Sequence, residues 1–270
     1  MTFSLGPRAA SAGYRLAAFD SIGSTNAEAL MRARAGETGP IWLTTTEQTA
    51  GRGRRQRAWL SPRGNLASSV LEVIDTSPAV AATLSFAAGL ALEAALQTVS
   101  LEARMRSPGS ENATFHLKWP NDVLAGGKKL AGILLEAETV AHDRLAVVVG
   151  IGTNVIAAPE GIPHPAVSLR DLGIDIGAED LFRALTEAWV EFRQIWDGGR
   201  GFGDIRRLWL DRAAGVGRPV SIQSGASTIS GLFDTIDEDG CLIVATSDGK
   251  RVAVSAGDVY FGAAASIGAT

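Results

Sequence analysis

The sequence EQTAGRGRRQRAW covers residues 47–59 and holds four arginines within a few positions. No Asp or Glu lies between Arg52 and Arg63, although the whole chain has a formal net charge of −4. Glycine lets backbone N–H groups approach an anion closely, and the guanidinium group supplies a rigid fork of donors. The segment therefore predicts a loop that wraps a phosphate or a carboxylate.

Two other interpretations of this segment are open at this point. An arginine-rich run is often a solvated, mobile surface loop that binds nothing. A nucleic-acid-binding arm is the third interpretation, but an isoelectric point of about 5.5 does not predict a basic face around it. The other polar segments of the chain have to decide among the three.

The composition indicates an ordinary globular protein, because 46% of the residues are hydrophobic and 20% are charged. A chain of 270 residues can form one large domain and a second, small one. The single cysteine, Cys241, excludes an internal disulfide and a clustered thiolate metal site. The three histidines, His116, His142 and His164, lie far apart and lack the spacing of zinc ligands.

The sequence gives no sign of export or of membrane insertion. Residues 1–13 lack a basic region followed by an apolar one, which a signal peptide requires. An uninterrupted run of about 18 apolar residues is also absent from the chain. The cytoplasm is the predicted compartment, and no membrane partner is expected.

Apolar and β-branched runs predict six strands in the first part of the chain. They cover residues 14–19, 41–46, 66–74, 115–119, 129–138 and 145–154. The run 145–154 contains three consecutive valines, which predicts the buried centre of a sheet.

Helix signals lie between these strands. Thr25 and Glu28 have the spacing of a capping box, which predicts a helix start. Pro78 opens an Ala/Leu-rich stretch, apolar on most faces, that is predicted to be a buried helix ending near Val99. Residues 102–113 are polar and are predicted to be a loop.

The chain changes in character toward its end. Residues 157–167 contain three prolines and predict a loop, and helices are expected from Glu179 and over residues 204–213. Asp-Gly turn signals then separate short alternating strands, so residues 217–262 predict a small all-β barrel. We therefore expect two domains, residues 1–213 and residues 214–270.

Four further segments place polar groups where predicted strands meet loops. They are Ser24-Thr25-Asn26, Gln48, residues 118–132 and residues 150–154. Each has an ordinary explanation when it is taken alone. Ser24 is a typical helix cap, Lys118 a typical solvated strand residue, and Gly150 with Gly152 a pair of close-packing glycines.

The order and spacing of these segments together resemble the biotin–protein ligases. The matching segments are GSTN (23–26), EQTAGRGRRQRAW (47–59), KWPNDVL (118–124), KKLAGILLE (128–136) and GIGTNV (150–155). The resemblance spans roughly residues 14–262, and it departs from the family at Gln56, where the loop often has glycine. It implies an α+β fold, with a mixed β-sheet flanked by helices in a catalytic biotin- and ATP-binding domain. The C-terminal all-β domain is then expected to be an SH3-like barrel.

The resemblance also implies a two-step reaction. Biotin and ATP with Mg²⁺ form biotinyl-5′-AMP, which then acylates a lysine of the biotin carboxyl carrier domain of a biotin-dependent carboxylase. Attack of a carboxylate on an α-phosphate brings two anions together, so cations must offset their repulsion. The ureido head of biotin is neutral and polar, and it needs hydrogen-bonding groups in an otherwise apolar pocket.

Site residues follow from the same resemblance. Biotin is expected to contact Ser24, Thr25, Asn26, Gln48, Gly51, Arg52, Gly53, Arg54, Trp59, Lys129 and Gly132. ATP is expected to contact Arg52, Arg54, Asn121, Lys129 and Asn154. Lys129 and Arg54 are the expected catalytic residues, and Asp122 is the candidate Mg²⁺ ligand.

Two alternative functions are kept at this stage. A lipoate–protein ligase or an octanoyl transferase shares the fold, although such proteins typically have a different glycine-rich loop. A nucleic-acid-binding module is the non-enzyme alternative, but few basic residues occur in 217–262. The first catalytic strand is predicted near Tyr14, which leaves no room for a preceding DNA-binding domain, so no DNA partner is expected. The sequence leaves open whether the protein is a monomer or a homodimer.

Overall fold

A computed structural model shows two β-sheets and six α-helices in the part of the chain that it describes. The described residues are 2–106, 113–140, 144–161, 165–225 and 227–261. The helices are α1 (Pro7–Ser11), α2 (Thr25–Arg34), α3 (Pro78–Ala82), α4 (Leu84–Arg106), α5 (Ala178–Trp196) and α6 (Phe202–Leu210).

The larger sheet has seven strands. They are β1 (Arg15–Phe19), β2 (Ile41–Thr45), β3 (Leu66–Ile74), β4 (Phe115–Lys118), β5 (Asp122–Ala125), β6 (Lys128–Thr139) and β7 (Leu145–Thr153). Their order is β1-β2-β3-β7-β6-β5-β4. Strands β1 and β2 are parallel and the other neighbours are antiparallel, so the predicted mixed sheet is confirmed.

Both faces of this sheet are covered, because alternate residues of a strand point to opposite sides. Trp42 and Val147 belong to a large apolar core that includes α4, α5 and α6. Leu43 and Val148, their chain neighbours, pack instead in a smaller cluster with Ala29 of α2. The central strands are therefore buried on both sides, which explains their almost continuous apolar sequence.

The smaller sheet is antiparallel and lies near the end of the chain. Its strands are β8 (Pro219–Ser224), β9 (Ser227–Ile236), β10 (Leu242–Ala245), β11 (Arg251–Val254) and β12 (Asp258–Phe261), in the order β11-β10-β9-β8-β12. Gly240 and Gly249 have φ values of 81° and 82°, which the hairpin turns require. The predicted all-β unit is confirmed, and the indole N–H of Trp119 ties it to the larger sheet by donating to the Gly240 carbonyl at 3.0 Å.

The structure corrects several of the predicted boundaries. The cap of α2 is Ser24, whose Oγ accepts from the Ala27 N–H at 3.4 Å, so the capping box predicted at Thr25 and Glu28 is wrong. The carboxylate of Glu28 instead contacts Arg32 one turn further on, at 2.8 Å.

Other corrections concern elements that sequence patterns missed. The apolar helix divides at Thr83, and its second part continues to Arg106, so the loop predicted from residue 102 is wrong over 102–106. Residues 107–112 of that loop lie outside the described residues. Helix α1 has five residues and strand β5 has four. Neither was predicted, because so few residues show no periodic pattern.

The helical segment Pro78–Arg106 is long and apolar enough to pass a composition test for a membrane span. In the structure, 72% of its most apolar 18-residue window is buried inside the protein. A core helix passes the same test, and Leu90, Leu92 and Leu96 of this helix are fully buried in the large core. Its hydrophobicity is therefore accounted for by internal packing.

Asn65 anchors the segment that follows β7. Its Oδ1 accepts hydrogen bonds from the N–H groups of Val155, Ile156 and Ala157 at 3.0, 2.9 and 3.2 Å. Its Nδ2 donates to the Ala157 carbonyl at 2.7 Å, and the residue is 1% exposed. One side chain thus fixes the chain direction immediately after Asn154.

Replacing Asn65 by alanine should destabilise the protein by about 3 kcal/mol, because the backbone N–H groups of residues 155–157 lose this acceptor. Urea unfolding of the variant and of the parent measures the difference. Ser85→Ala, which removes an exposed helix hydroxyl, should change stability by less than about 0.5 kcal/mol and serves as the control. A similar small loss for Asn65→Ala would show that Asn65 does not anchor this segment.

Candidate active site

A cavity of about 700 Å³ opens beside the larger sheet. Its wall combines the start of α2, the arginine-rich loop after β2, strands β5, β6 and β7, and strand β12 of the smaller sheet. The structure brings nearly all of the predicted site residues to this wall. They are Ser24, Thr25, Asn26, Gln48, Arg52, Gly53, Arg54, Trp59, Asn121, Asp122, Lys129, Gly132 and Asn154.

Gly51 is the predicted site residue that is not part of the lining. A Cβ at this position would lie 2.4 Å from the Trp59 carbonyl oxygen and 2.8 Å from the Gln48 amide nitrogen. Neither contact is sterically allowed, so only glycine lets the two strands of the loop approach each other here. Gly51 therefore shapes the loop from behind the cavity wall.

Hydrogen bonds fix the polar side chains at the start of α2. Gln48 Oε1 accepts from the Thr25 backbone N–H at 2.8 Å and from the Thr25 hydroxyl at 3.1 Å. Ser69 Oγ of β3 lies 2.7 Å from Thr25 Oγ1 and 2.6 Å from Asn26 Oδ1. Because Ser24, Thr25 and Asn26 are all buried, this end of the cavity is a rigid polar cluster.

Glycines make the cavity floor in the centre of the sheet. Gly132 of β6 pairs with Gly152 of β7, so two neighbouring positions carry no side chain. A Cβ at Gly152 would lie 2.5 Å from the Trp59 indole, and a Cβ at Gly132 would lie 3.2 Å from it. A Cβ at Gly150 would lie 2.1 Å from Asn26 Oδ1. The Gly-x-Gly pattern is therefore a close-packing surface for Trp59 and Asn26.

The arginine-rich loop turns sharply over the cavity. Residues Arg54–Gln56 form a single 3₁₀ turn, and Gly53 N–H donates to the Arg57 carbonyl at 2.7 Å. Arg55 and Gln56 have φ values of 54° and 59°, in the left-handed region that favours glycine. The departure noted at Gln56 is thus a backbone position where a side chain carries a conformational cost.

The four arginines of the loop divide into two pairs. Arg52 Nη2 lies 3.6 Å from Glu136, and Arg54 Nη1 donates to Asn121 Oδ1 at 3.1 Å. Burial lowers the pKa of Arg54, since the cavity wall takes its guanidinium out of water. Arg55 and Arg57 instead contact a carboxylate of the smaller sheet.

Lys129 supplies a further cation to the cavity wall. Its Nζ lies 2.7 Å from Asp122 Oδ1 and 5.5 Å from the Trp59 ring centroid. Two backbone hydrogen bonds hold Lys129 in place. Its N–H donates to the Pro165 carbonyl at 2.8 Å, and its carbonyl accepts from the Val167 N–H at 3.0 Å. The ammonium group therefore stands at a fixed point between a carboxylate and an aromatic ring.

Asn154 is part of the cavity lining and carries a buried, unused acceptor. Its Nδ2 donates to the Val167 carbonyl at 3.2 Å, while its buried Oδ1 has no hydrogen-bond partner among the described residues. Buried acceptors of this kind are rare, and a donor on a bound ligand would satisfy this one. The amide of Asn121 is used differently, since it accepts from Arg54 and donates to the Ile133 carbonyl at 2.6 Å. Its predicted contact with a nucleotide stays a prediction.

The described residues contain no cluster of three or more His, Cys, Asp or Glu side chains that would hold a metal ion. His142 and His164 lie outside the described residues. Asp122 and Asp258 are the acidic side chains in the described cavity wall, and Asp122 is paired with Lys129. This donor set suits a Mg²⁺ ion held mainly by substrate phosphates and water with at most one carboxylate, which is the usual mode for Mg²⁺.

Several residues of the site were not identified by sequence reasoning. Ser69 and Glu136 contact the predicted site residues Asn26 and Arg52 across 43 or more positions of sequence. Asp258 lines the cavity from the smaller sheet and contacts Arg55, which was not a predicted site residue. The paired serines Ser68-Ser69 inside an apolar strand were the available signal for the first, since a buried hydroxyl needs a partner. Glu136 and Asp258 carried no such signal.

The geometry defines a class of site: a partly apolar cavity with a polar end, closed by cations that suit an anionic group. Residues 18–154 match the biotin/lipoate A/B protein ligase family, and residues 215–262 match the biotin protein ligase C-terminal domain. A biotin–[acetyl-CoA-carboxylase] ligase of Paracoccus denitrificans is 38% identical over 245 residues, covering 88% of this chain and 97% of that protein. One of Mycobacterium tuberculosis is 37% identical over 246 residues, covering 88% and 85%.

A solved structure gives the same result for the fold. The biotin protein ligase of Aquifex aeolicus in complex with biotin and ATP superposes with a TM-score of 0.72 and is 25% identical. The superposition covers 92% of this chain and 99% of that one. The chain therefore belongs to the biotin/lipoate A/B protein ligase family, and the relatives named here are its biotin-specific members.

Gln56→Gly should stabilise the protein by about 0.5–1 kcal/mol, because glycine adopts the left-handed backbone of this position without steric cost. Urea unfolding measures the change. Ala58→Gly, two residues along and at a position without positive φ, should instead lose stability, since glycine only adds freedom to the unfolded chain there. If Gln56→Gly destabilises the protein as much as Ala58→Gly does, backbone strain at Gln56 is excluded.

Proposed function

We propose that this protein is an ATP-dependent biotin–protein ligase that makes biotinyl-5′-AMP and transfers biotin to a lysine of a biotin carboxyl carrier domain. The observation that carries the proposal is the convergence of Arg52, Arg54 and Lys129 on one cavity that has a polar end and a glycine floor. Membership of the ligase family and the biotin- and ATP-bound relative support the same assignment.

Biotin fits the cavity by its chemistry. The rigid cluster of Ser24, Thr25 and Gln48 offers hydroxyl and amide groups to the ureido head, which is neutral and polar. The apolar ring system then lies against the Trp59 ring, which itself packs on Gly132 and Gly152. This orientation directs the carboxylate of biotin toward Lys129, whose Nζ stands 5.5 Å from the Trp59 ring centroid. Shape and polarity together fix the reacting group.

The first half-reaction joins two anions. An oxygen of the biotin carboxylate attacks the α-phosphorus of ATP, the bond to the bridging oxygen breaks, and pyrophosphate leaves with that electron pair. Negative charge accumulates on the α-phosphate oxygens, and Lys129, Arg52 and Arg54 lie on the wall to offset it. Mg²⁺, when bound with ATP, supplies further charge neutralisation at the phosphates. Lys129 must then exchange its Asp122 partner for the substrates.

The nucleotide base belongs near Asn154. Its free Oδ1 is a candidate acceptor for a donor on the ligand, and the backbone around it is held by Asn65 and by Val167. The segment after it, residues 157–161 and 165–167, borders the cavity through Pro159 and Pro165. A wall of prolines and packed backbone excludes water, which protects an acyl-adenylate from hydrolysis.

In the second half-reaction the amine of an acceptor lysine attacks the carbonyl carbon of biotinyl-5′-AMP, and AMP leaves. Asp122 lies beside the reacting group and is placed to contact the incoming amine once Lys129 has turned to the substrates. The acceptor is a biotin carboxyl carrier domain, as the names of the relatives suggest, and the cytoplasm is the proposed compartment.

The function is tested with the purified protein, an acceptor domain, ATP and Mg²⁺, and with biotin, lipoate or octanoate in separate reactions. A mass increase of the acceptor in the biotin reaction, and not in the lipoate or octanoate reactions, supports the proposal. An increase with lipoate or octanoate instead would assign the chain to the lipoate ligase or octanoyl transferase alternative. Binding of DNA or RNA without any acyl transfer would favour the nucleic-acid-binding alternative.

Lys129→Ala should lower the rate of biotin-dependent pyrophosphate release by about 100- to 1,000-fold, because one charged donor to the transition state is removed. The protein should stay folded, since Nζ is at the cavity and not in the core. Lys128→Ala is the matched control, because Lys128 is exposed and outside the cavity wall. Pyrophosphate release close to the parent rate in Lys129→Ala would remove Lys129 from the proposed mechanism.

Arg54→Gly should still form biotinyl-5′-AMP, more slowly because one of three cations is lost, but should release it, since Arg54 borders the cavity through a loop that covers the product. Released adenylate acylates exposed lysines without further catalysis, so a bystander albumin should become biotinylated. Arg63→Gly, which removes an exposed cation paired with Glu47 outside the cavity, is the control. Retention of adenylate at the parent level in Arg54→Gly would show that another group holds it.

A further inference from the structure

We propose that Asp258 of the smaller sheet is a positioning residue that holds the arginine-rich loop closed over the cavity. Asp258 Oδ2 accepts from Arg55 Nη1 at 3.1 Å and from Arg57 Nη2 at 2.8 Å. One carboxylate thus binds two of the four loop arginines. The role in retaining the adenylate rests on the proposed function, whereas the effect on the loop does not.

The charges of the loop make such a partner necessary. Arg52, Arg54, Arg55 and Arg57 repel one another, and the loop closes only if carboxylates offset this repulsion. Glu136 of the larger sheet lies near Arg52, and Asp258 lies at the other end of the loop, in contact with Arg55 and Arg57. Asp258 thus binds Arg55 and Arg57, while Arg52 and Arg54 contact Glu136 and Asn121 of the larger sheet beside the cavity.

Asp258 is itself held in place. Its strand β12 pairs with β8, with Asp258 opposite Gln223, and Gly257 approaches Ile222 so closely that a Cβ there would lie 2.5 Å from its side chain. The Asp258 side chain is 21% exposed, which leaves it partly shielded from solvent. Although burial raises its pKa, the hydrogen bond from Arg57 and the charges of the nearby arginines together keep the pKa of Asp258 below its ordinary value.

The backbone of the loop shows where this contact acts. Arg55 and Gln56 adopt left-handed conformations that non-glycine residues adopt only when surrounding contacts impose them. The residues on either side of Gln56, Arg55 and Arg57, are the two that Asp258 binds. The ion pairs therefore hold the sharp turn, and the smaller sheet takes part in closing the site although it supplies none of the cavity cations.

Limited trypsin digestion of the ligand-free protein tests the effect on the loop. Asp258→Asn should be cut after the loop arginines about tenfold faster than the parent, as a loss of about 1.4 kcal/mol in closure would give. Asp234→Asn removes a carboxylate that pairs with Arg251 in the same sheet, away from the loop, and should be cut at the parent rate. Equal loop cleavage in the parent and Asp258→Asn overturns the proposal.

A second variant distinguishes loss of the Asp258 ion pairs from general unfolding of the smaller sheet. Arg57→Gln acts from the loop side, and its side chain is 59% exposed, so it cannot unfold that sheet. Cleavage after Arg55 should rise in Arg57→Gln as in Asp258→Asn, and the double variant should add little to either single change. If the increases in cleavage rate of the two single variants multiply in the double variant, the proposal is overturned. It is also overturned if Asp258→Asn speeds loop cleavage and Arg57→Gln does not.

The release rate of the adenylate tests the positioning role, because a residue with a merely structural role would not change it. Asp258→Asn and Arg57→Gln should each release biotinyl-5′-AMP about tenfold faster than the parent, while the rate of its formation changes less. Unchanged release with an opened loop overturns the positioning role. If the parent forms no adenylate, the proposed function fails, and the trypsin result still decides whether Asp258 holds the loop.

Discussion

Two facing glycines in the centre of the larger sheet set the geometry on which the rest of the site depends. Gly132 and Gly152 lie opposite each other on β6 and β7, and any side chain at Gly152 would occupy the space of the Trp59 ring. Because these two positions carry no side chain, they form a flat floor on a sheet whose other positions are mostly covered by side chains. The arginine-rich loop can then fold down over that floor, because Trp59 at its end has a surface to pack against.

The second constraint is the balance of charge around the loop. Among the described residues, three arginines and two lysines line the cavity, and Arg52, Arg54, Arg57 and Lys129 each have a defined polar partner. Asp122, Glu136 and Asp258 provide the carboxylates, and they come from three different strands. Substrate phosphates would replace some of these contacts, so the site is already arranged for anions at little reorganisation cost.

Much of this could be predicted from the sequence. Short-range signals located most strands within a residue or two, together with the start of α3 at Pro78 and the hairpins at Gly240 and Gly249, because these depend on side-chain alternation and on backbone preferences. The sequence offered both Ser24 and the Thr25–Glu28 capping box as the start of α2, and Ser24 makes the contact. Both residues have hydroxyl groups, and the sequence does not say which one is extended. Strand β5 was missed because four residues exist as a strand only through pairing with β4 and β6.

The sequence by itself determined the kind of chemistry: which residues are cationic, where the glycines lie, and to which family the order of segments belongs. The tertiary structure decided which of these groups meet. Four arginines look equivalent along the chain, but only folding pairs Arg52 with Glu136 and Arg54 with Asn121. It brings Arg55 and Arg57 to Asp258, 201 or more positions away. Such partners are fixed by the position of the smaller sheet at the cavity wall, and no local pattern encodes a contact between residues so far apart.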